Sequence, residues 1–146
     1  MAYPPLLMLN SPDEYRKYFE DNYCSQKIYT FDKIRVLFPR GSFDHAFYES
    51  SNRRMGNKDV FSDNRAQRVP WIKAALADPS AELYCGWDNK RKCVAFDRRV
   101  TIVVRDYVVI MQTKSEDKAF FITAFTANQQ ALNKIRLNPK WQKNSR

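Results

Sequence analysis

A single histidine stands among the 146 residues, at position 45 within Phe43-Asp44-His45-Ala46-Phe47-Tyr48. Imidazole is the side chain whose unperturbed pKa lets it give and take protons near neutrality, so ordinary acid–base chemistry in this chain starts with His45. Three other residues have chemistry to offer: the arginines Arg65 and Arg68, and Thr123 in Phe121-Ile122-Thr123-Ala124-Phe125. Together they suit cleavage of RNA without a metal. The 2′-hydroxyl must lose a proton as it attacks the adjacent phosphate, and the 5′-oxygen must gain one as it leaves; His45 can serve as general base or acid for this. Charge building on a phosphorane-like transition state needs fixed cations, and the planar fork of Arg matches phosphate oxygens. The Thr123 hydroxyl would donate to a phosphate oxygen or hold the imidazole in place.

Each residue also has a plainer reading. A lone histidine between Phe43, Phe47 and Tyr48 is often just packed there with its ring nitrogens bonded. Arg65 on a half-apolar helix face can snorkel or pair with a carboxylate. Arg68 can be a surface charge, and Thr123 an ordinary strand residue. Tyr84 and Tyr107 could stack on bases, although aromatic strand residues are usually core.

Composition narrows the classes. The apolar fraction of 44% is that of a globular chain, and the length suits one domain spanning residues 1–146. Only three glycines are present, and no Walker loop, dinucleotide fingerprint or Gly-x-Ser-x-Gly elbow can be found. No apolar run approaches the roughly 18 residues of a membrane span, and the first nine residues lack the features of a secretory signal. Cys24, Cys85 and Cys93 form an odd, low count that suits a reducing, cytoplasmic setting. With one His and no paired cysteines or carboxylates at ligand spacing, neither a metal nor another cofactor is expected. Twenty-five Lys and Arg against 16 Asp and Glu give a net charge of +9, which points to a polyanion, most often nucleic acid. The last stretch, residues 126–146, holds five bases and no acid. Residues 138–146 read as a basic tail, in which Trp141 suggests contact with RNA, a partner or the domain's own surface.

The elements that must position these residues follow from punctuation and period. Ser11-Pro12-Asp13-Glu14 opens a helix over about residues 12–22, with Tyr15, Tyr18, Phe19 and Tyr23 on one face. Residues 27–31 read as a short strand, and Asp32 as the cap of a short helix through Leu37, ended by Pro39-Arg40-Gly41. Residues 52–58 read as an exposed basic loop. Ser62 starts a helix to about Ala77, with Val69, Ile72 and Leu76 as its buried stripe and Pro70 kinking or restarting it. Strands are expected at 82–87, 93–104, 107–113 and 119–126, joined by short turns and therefore antiparallel. Alternation puts Val100, Ile102 and Val104 on one face, and Arg99, Thr101 and Arg105 on the other. Arg99, Thr101, Arg105 and Tyr107 are the candidate substrate-binding set. A last helix covers about residues 127–137, with Ala131 and Ile135 inward. The fold class expected is α+β, with N-terminal helices packed on one four-stranded antiparallel sheet and a C-terminal helix.

The order of these pieces resembles a family. Phe43-Asp44-His45-Ala46-Phe47, then Arg65-Ala66-Gln67-Arg68-Val69-Pro70-Trp71-Ile72, then Leu76-Ala77-Asp78-Pro79, and strands ending in Phe121-Ile122-Thr123-Ala124-Phe125 are similar to the phage-associated branch of the Barnase–EndoU–colicin–RelE superfamily of nucleases. The resemblance covers about residues 27–137, leaving residues 1–24 as a helical extension. It implies a metal-independent, toxin-like endoribonuclease that leaves a 2′,3′-cyclic phosphate. It carries roles over to His45, Arg65, Arg68 and Thr123. The partners it implies are RNA, tRNA included, and an acidic inhibitor or immunity protein, with no membrane. The competing reading is a non-catalytic RNA- or DNA-binding module, or a phage accessory protein, of the same shape.

Overall fold

The computed structural model describes residues 3–50, 60–88 and 92–141. The elements run α1 (Pro12–Phe19), which continues as a π-helical segment (Glu20–Cys24), then β1 (Ile28–Tyr29), β2 (Arg35–Leu37), α2 (Ser42–Phe47), β3 (Tyr48–Glu49), β4 (Val60–Phe61), α3 (Asp63–Ala66), α4 (Val69–Ala77), β5 (Glu82–Asp88), β6 (Cys93–Val104), β7 (Tyr107–Ser115), β8 (Lys118–Thr126) and α5 (Gln129–Arg136). The class is mixed α and β, as expected, but the sheet is larger than four strands. Its order is β1-β2-β8-β7-β6-β5, with β3 and β4 paired separately. The four long strands are antiparallel neighbours, whereas β2 joins β8 in parallel, so the sheet is mixed.

Of the two extra strands, β1 falls within the short strand expected at 27–31, and β2 arises where a helix was expected. Residues 30–34 fold into a tight turn: the Thr30 N–H donates to the Ile34 carbonyl at 2.8 Å, and Lys33 takes φ 70°. The Thr30 hydroxyl oxygen also accepts from the Ile34 N–H at 2.9 Å. Beyond the turn, Ile34, Val36 and Phe38 are buried in alternation, the period of a strand. Asp32 therefore belongs to a hairpin turn, and no helix runs to Leu37. The Pro70 expectation fares better. Ser62 caps α3, its side chain accepting from the Arg65 N–H at 3.3 Å, and the chain breaks before α4 restarts with Pro70 in its first turn, where a missing N–H costs nothing.

Helices lie on both faces. On one, α1, α2 and α4 cover Val100, Ile102, Val109, Met111 and Phe121 in the main core. At its centre Phe19 meets the rings of Tyr23, Phe38, Phe43, Phe47 and Phe121 with centroids 5.5–6.1 Å apart. On the other face α5 covers a smaller cluster of Tyr84, Val103, Val108, Ala127 and Leu132, with Ala131 and Ile135 inward. A polar, uncovered second face was expected; its Val103 end is instead roofed by α5. The rest of that face is set by register. Leu37, Phe120, Gln112 and Arg99 form one row of cross-strand partners. Tyr29, Arg35, Lys118 and Ser115 form the next.

The expected basic tail begins as structure. The Cys85 N–H donates to the Pro139 carbonyl at 2.8 Å, the Trp141 N–H to the Leu83 carbonyl at 3.0 Å, and Lys140 bridges Tyr84. Residues 139–141 thus cap the β5 edge, and Trp141 is buried in the main core, which answers the contact its sequence position suggested. None of the three cysteines is in a disulfide. The expected 52–58 loop, part of the 87–91 turn and the end of the tail lie outside the described residues. Because Trp141 fills core space and pins an edge, Trp141→Ala should cost about 3–5 kcal/mol in denaturant unfolding. Stability equal to the parent chain would show that the segment only rests on the surface.

Candidate active site

The second half of β8 has a free side. Its partner β2 is three residues long and pairs only with Lys118–Phe120, so among the described residues the stretch from Phe121 on has no strand there. Helices α2 and α3 pack along this side. Helix α2 does so because Phe43, Ala46 and Phe47, at i, i+3 and i+4, are fully buried on one of its faces. Asp44 and His45 are left on the exposed face. Arg16 of α1 holds the helix from outside: its Nη2 lies 2.5 Å from Asp44, and its guanidinium carbon sits 4.5 Å from the Phe43 ring centroid.

Arg65 is brought beside His45's helix by the β3–β4 pair, in which Tyr48 faces Phe61 and Glu49 faces Val60. The Ser62 N–H then donates to the Phe47 carbonyl at 2.8 Å, which delivers α3 to the end of α2. From α3 the Arg65 Nη1 donates to the carbonyl of Ala46, the residue after His45, at 3.3 Å. Its Nη2 lies 3.9 Å from the Glu49 carboxylate, and its guanidinium carbon lies 5.4 Å from the Phe125 ring centroid. The side chain is only about one-fifth exposed (21%), so it is held in place yet reaches solvent. The Glu49 pair is half-exposed and worth about 0–1 kcal/mol to the fold, so it can open to a stronger anion at little cost.

Arg68 does different work. Its Nη1 donates to the Asn64 carbonyl at 2.8 Å, its guanidinium carbon stands 5.0 Å from the Trp71 ring centroid, and its own carbonyl accepts from the Tyr107 hydroxyl at 3.3 Å. It braces α3 against α4, and its buried Nε has no partner. Thr123 is moved by a bulge. Met111 pairs with Phe121 and Ile110 with Thr123, leaving Ile122 unpaired. The extra residue reverses the alternation, so Phe121 enters the main core while Thr123 shares the opposite face with Ile110 and Phe125. Its Oγ1 is buried and has no hydrogen-bond partner. It stands two residues from the ring that Arg65 covers, about 7 Å along the strand.

The substrate-binding set is dispersed. Arg99 is half-buried on the open part of the second face, its stem lying over Gly86, where an added Cβ would come within 2.5 Å of it. Thr101 is buried on that same face. Arg105 is exposed in the two-residue β6–β7 turn at φ 58°. Tyr107 is in the main core, 5.5 Å from Trp71 edge to face, and burial pushes its hydroxyl pKa well up. Its ring is spent on packing and offers no face to a base. An open pocket of about 340 Å³ beside Arg105 is lined by Asp78 and Glu82, but those carboxylates are already engaged by Ser80 and by Arg136 with Tyr84.

Sequence reasoning missed Glu49. Its one signal was the four-residue offset from His45, and that offset misleads, because α2 ends at Phe47 and strand pairing rather than a helical turn brings Glu49 to Arg65. Among the described residues, no three His, Cys, Asp or Glu side chains gather as a metal ion would require, and no helix is long and apolar enough to cross a membrane. No family model, curated protein or solved structure matches the chain. The unpartnered Thr123 hydroxyl gives a direct check of this geometry. Thr123→Val keeps the shape and removes the desolvated group, so stability should hold or rise by about 1 kcal/mol. A loss of ~2 kcal/mol or more in denaturant unfolding would mean that the hydroxyl is bonded in the folded chain.

Proposed function

We propose that the chain is a metal-independent endoribonuclease whose site lies along the free side of β8. The observation that carries this reading is Arg65, anchored on the carbonyl beside His45, paired with Glu49 and laid over Phe125. The likeness of the His45, Arg65 and Thr123 segments to the Barnase–EndoU–colicin–RelE nucleases supports it, as does the net charge of +9.

In this reading a phosphodiester takes the Arg65 fork in place of the Glu49 carboxylate. The exchange releases the carboxylate next to the bound phosphate, and the exposed imidazole from α2 is the second proton carrier in this reading. Glu49 and His45 form the acid–base pair: one accepts the 2′-hydroxyl proton as that oxygen attacks phosphorus, and the other protonates the departing 5′-oxygen. The bond to the 5′-oxygen breaks, leaving a 2′,3′-cyclic phosphate and a 5′-hydroxyl. Arg65 stabilises the charge that grows on the phosphorane oxygens, whereas the Thr123 hydroxyl, buried in the sheet, takes no part in this reading. Arg68 becomes a positioning residue, because its contacts hold the α3–α4 corner. An acidic inhibitor protein would compete for the same cations.

His45→Ala and Glu49→Gln should each lower single-turnover cleavage by a factor of about 10²–10⁴. Melting should stay close to the parent chain, because both side chains are exposed. Cleavage should persist in excess EDTA. Wild-type rates per folded molecule in both variants would remove the site, and activity lost in chelator and restored by magnesium would remove the metal-free mechanism.

A further inference from the structure

The second face of the sheet is only partly covered. Helix α5 roofs the end that holds Tyr84, Val103 and Val108. Among the described residues, the two rows beyond it, one containing Leu37 and Phe120 and the other Arg35 and Lys118, have no such roof: Leu37 and Phe120 belong to neither core cluster, although both are large and apolar. Four cations stand on this open area. Arg35 and Lys118 are cross-strand partners, Arg99 closes the Phe120 row two strands away, and Lys114 places its ammonium 5.3 Å from the Phe120 ring centroid. Among the described residues none of the four is ion-paired, and no acidic side chain shares the two rows. Among the described residues the Arg35 Nε is buried without a hydrogen-bond partner, and the residue as a whole is partly exposed.

A half-exposed ring in the middle of a sheet, with cations around it, has the chemistry of a single-stranded nucleic-acid platform. Cations neutralise the backbone, and an aromatic face takes a base without regard to its sequence. A duplex could not use the ring, because its bases are already stacked. The rows run on to Thr123, in the next row along β8 beyond the bulge. From β1 to β6 they span about 19 Å at the usual strand spacing, enough for several nucleotides.

We propose that this open half of the second face is a track for single-stranded RNA, with Phe120 as its stacking platform and Arg35, Arg99, Lys114 and Lys118 as its phosphate contacts, leading the strand to the β8 site. The inference rests on the nuclease reading for its direction, though not for the binding itself. It makes single-stranded RNA, rather than duplex, the substrate class.

The test is fluorescence anisotropy with a labelled 2′-O-methyl oligoribonucleotide, which binds but lacks the nucleophile and cannot be cut. Phe120→Ala should weaken binding by about 5- to 150-fold, and Phe120→Tyr should restore it. Arg99→Gln/Lys114→Gln/Lys118→Gln, which keeps the stems, should flatten the log–log salt dependence by about 2. The control Lys27→Ala/Lys73→Ala/Lys134→Ala, which removes as many exposed cations from elsewhere, should flatten it much less. Equal affinity and slope in the face variants and the parent would overturn the track. So would duplex binding as tight as single strand with Phe120→Ala silent, or polyglutamate displacing the RNA with Phe120→Ala silent, which would make the face a site for an acidic protein. If the face variants lose binding while the parent chain cuts no unmodified RNA, the track stands and the nuclease reading falls. If the parent cuts RNA and the face variants bind as it does, the nuclease reading stands and the track falls.

Discussion

The packing of Phe19 is the interaction on which the arrangement depends. Its ring, at the end of α1, touches one ring from the π-helical segment, one from the residue just after β2, two from α2 and one from β8. Each such contact contributes about 0.5–1.5 kcal/mol beyond its buried area. More to the point, the cluster fixes where α2 stands. A six-residue helix has too few internal hydrogen bonds to persist alone. Phe43 and Phe47, locked against Phe19, hold it beside β8, and that placement leaves Asp44 and His45 facing outward. Arg16, paired with Asp44 from α1, ties the same two helices together on the outside. The exposed histidine is thus a consequence of an aromatic core.

A second constraint is the single extra residue in β8. Without the bulge at Ile122, Thr123 would follow Phe121 into the main core, and its hydroxyl would be buried among the rings of Phe19 and Phe38. The bulge sends it to the far face and bends the strand beside α2 and α3. The same face is divided in two by the length of α5: one end is closed over Val103 and Val108, and the other is open around Phe120. The proposed chemistry and the proposed RNA track lie on either side of this bulge. The short β2 completes the scheme, because a longer strand would have paired the free side of β8 and left no room for α2 and α3.

Much of this was legible in residue types. Alternation named the faces of β6, the turn at Arg105-Asp106 gave the β6–β7 hairpin, and Ser11 and Ser62 marked two helix starts through side-chain caps. Three features were hidden because they depend on contacts distant in sequence. β2 read as a helix, since three residues carry too little period to outweigh a capping Asp32. Its parallel pairing with β8 joins residues more than 80 positions apart. The bulge has no signal in Phe121-Ile122-Thr123, where simple alternation places Thr123 on the Phe121 face. Tyr107 looked available for stacking because its burial depends on Trp71 and on the Arg68 carbonyl, both on α4 or its cap. Of the candidate site, His45 and Arg65 could be read from type and order, whereas Glu49 required the β3–β4 pairing to be seen.

The central claim is that RNA supplies its own nucleophile, with Glu49, His45 and Arg65 acting on the proton and the charge. The direct measurement is the chemistry of the cut ends, using paired oligonucleotides that differ by one 2′-deoxy substitution at the scissile nucleotide. The expected result is a 2′,3′-cyclic phosphate and a 5′-hydroxyl from the all-ribose strand, with no cleavage at the deoxy position. Cleavage of the deoxy strand at a comparable rate, or products ending in a 5′-phosphate and a 3′-hydroxyl, would contradict it, because water or another nucleophile would then have attacked in place of the 2′-oxygen.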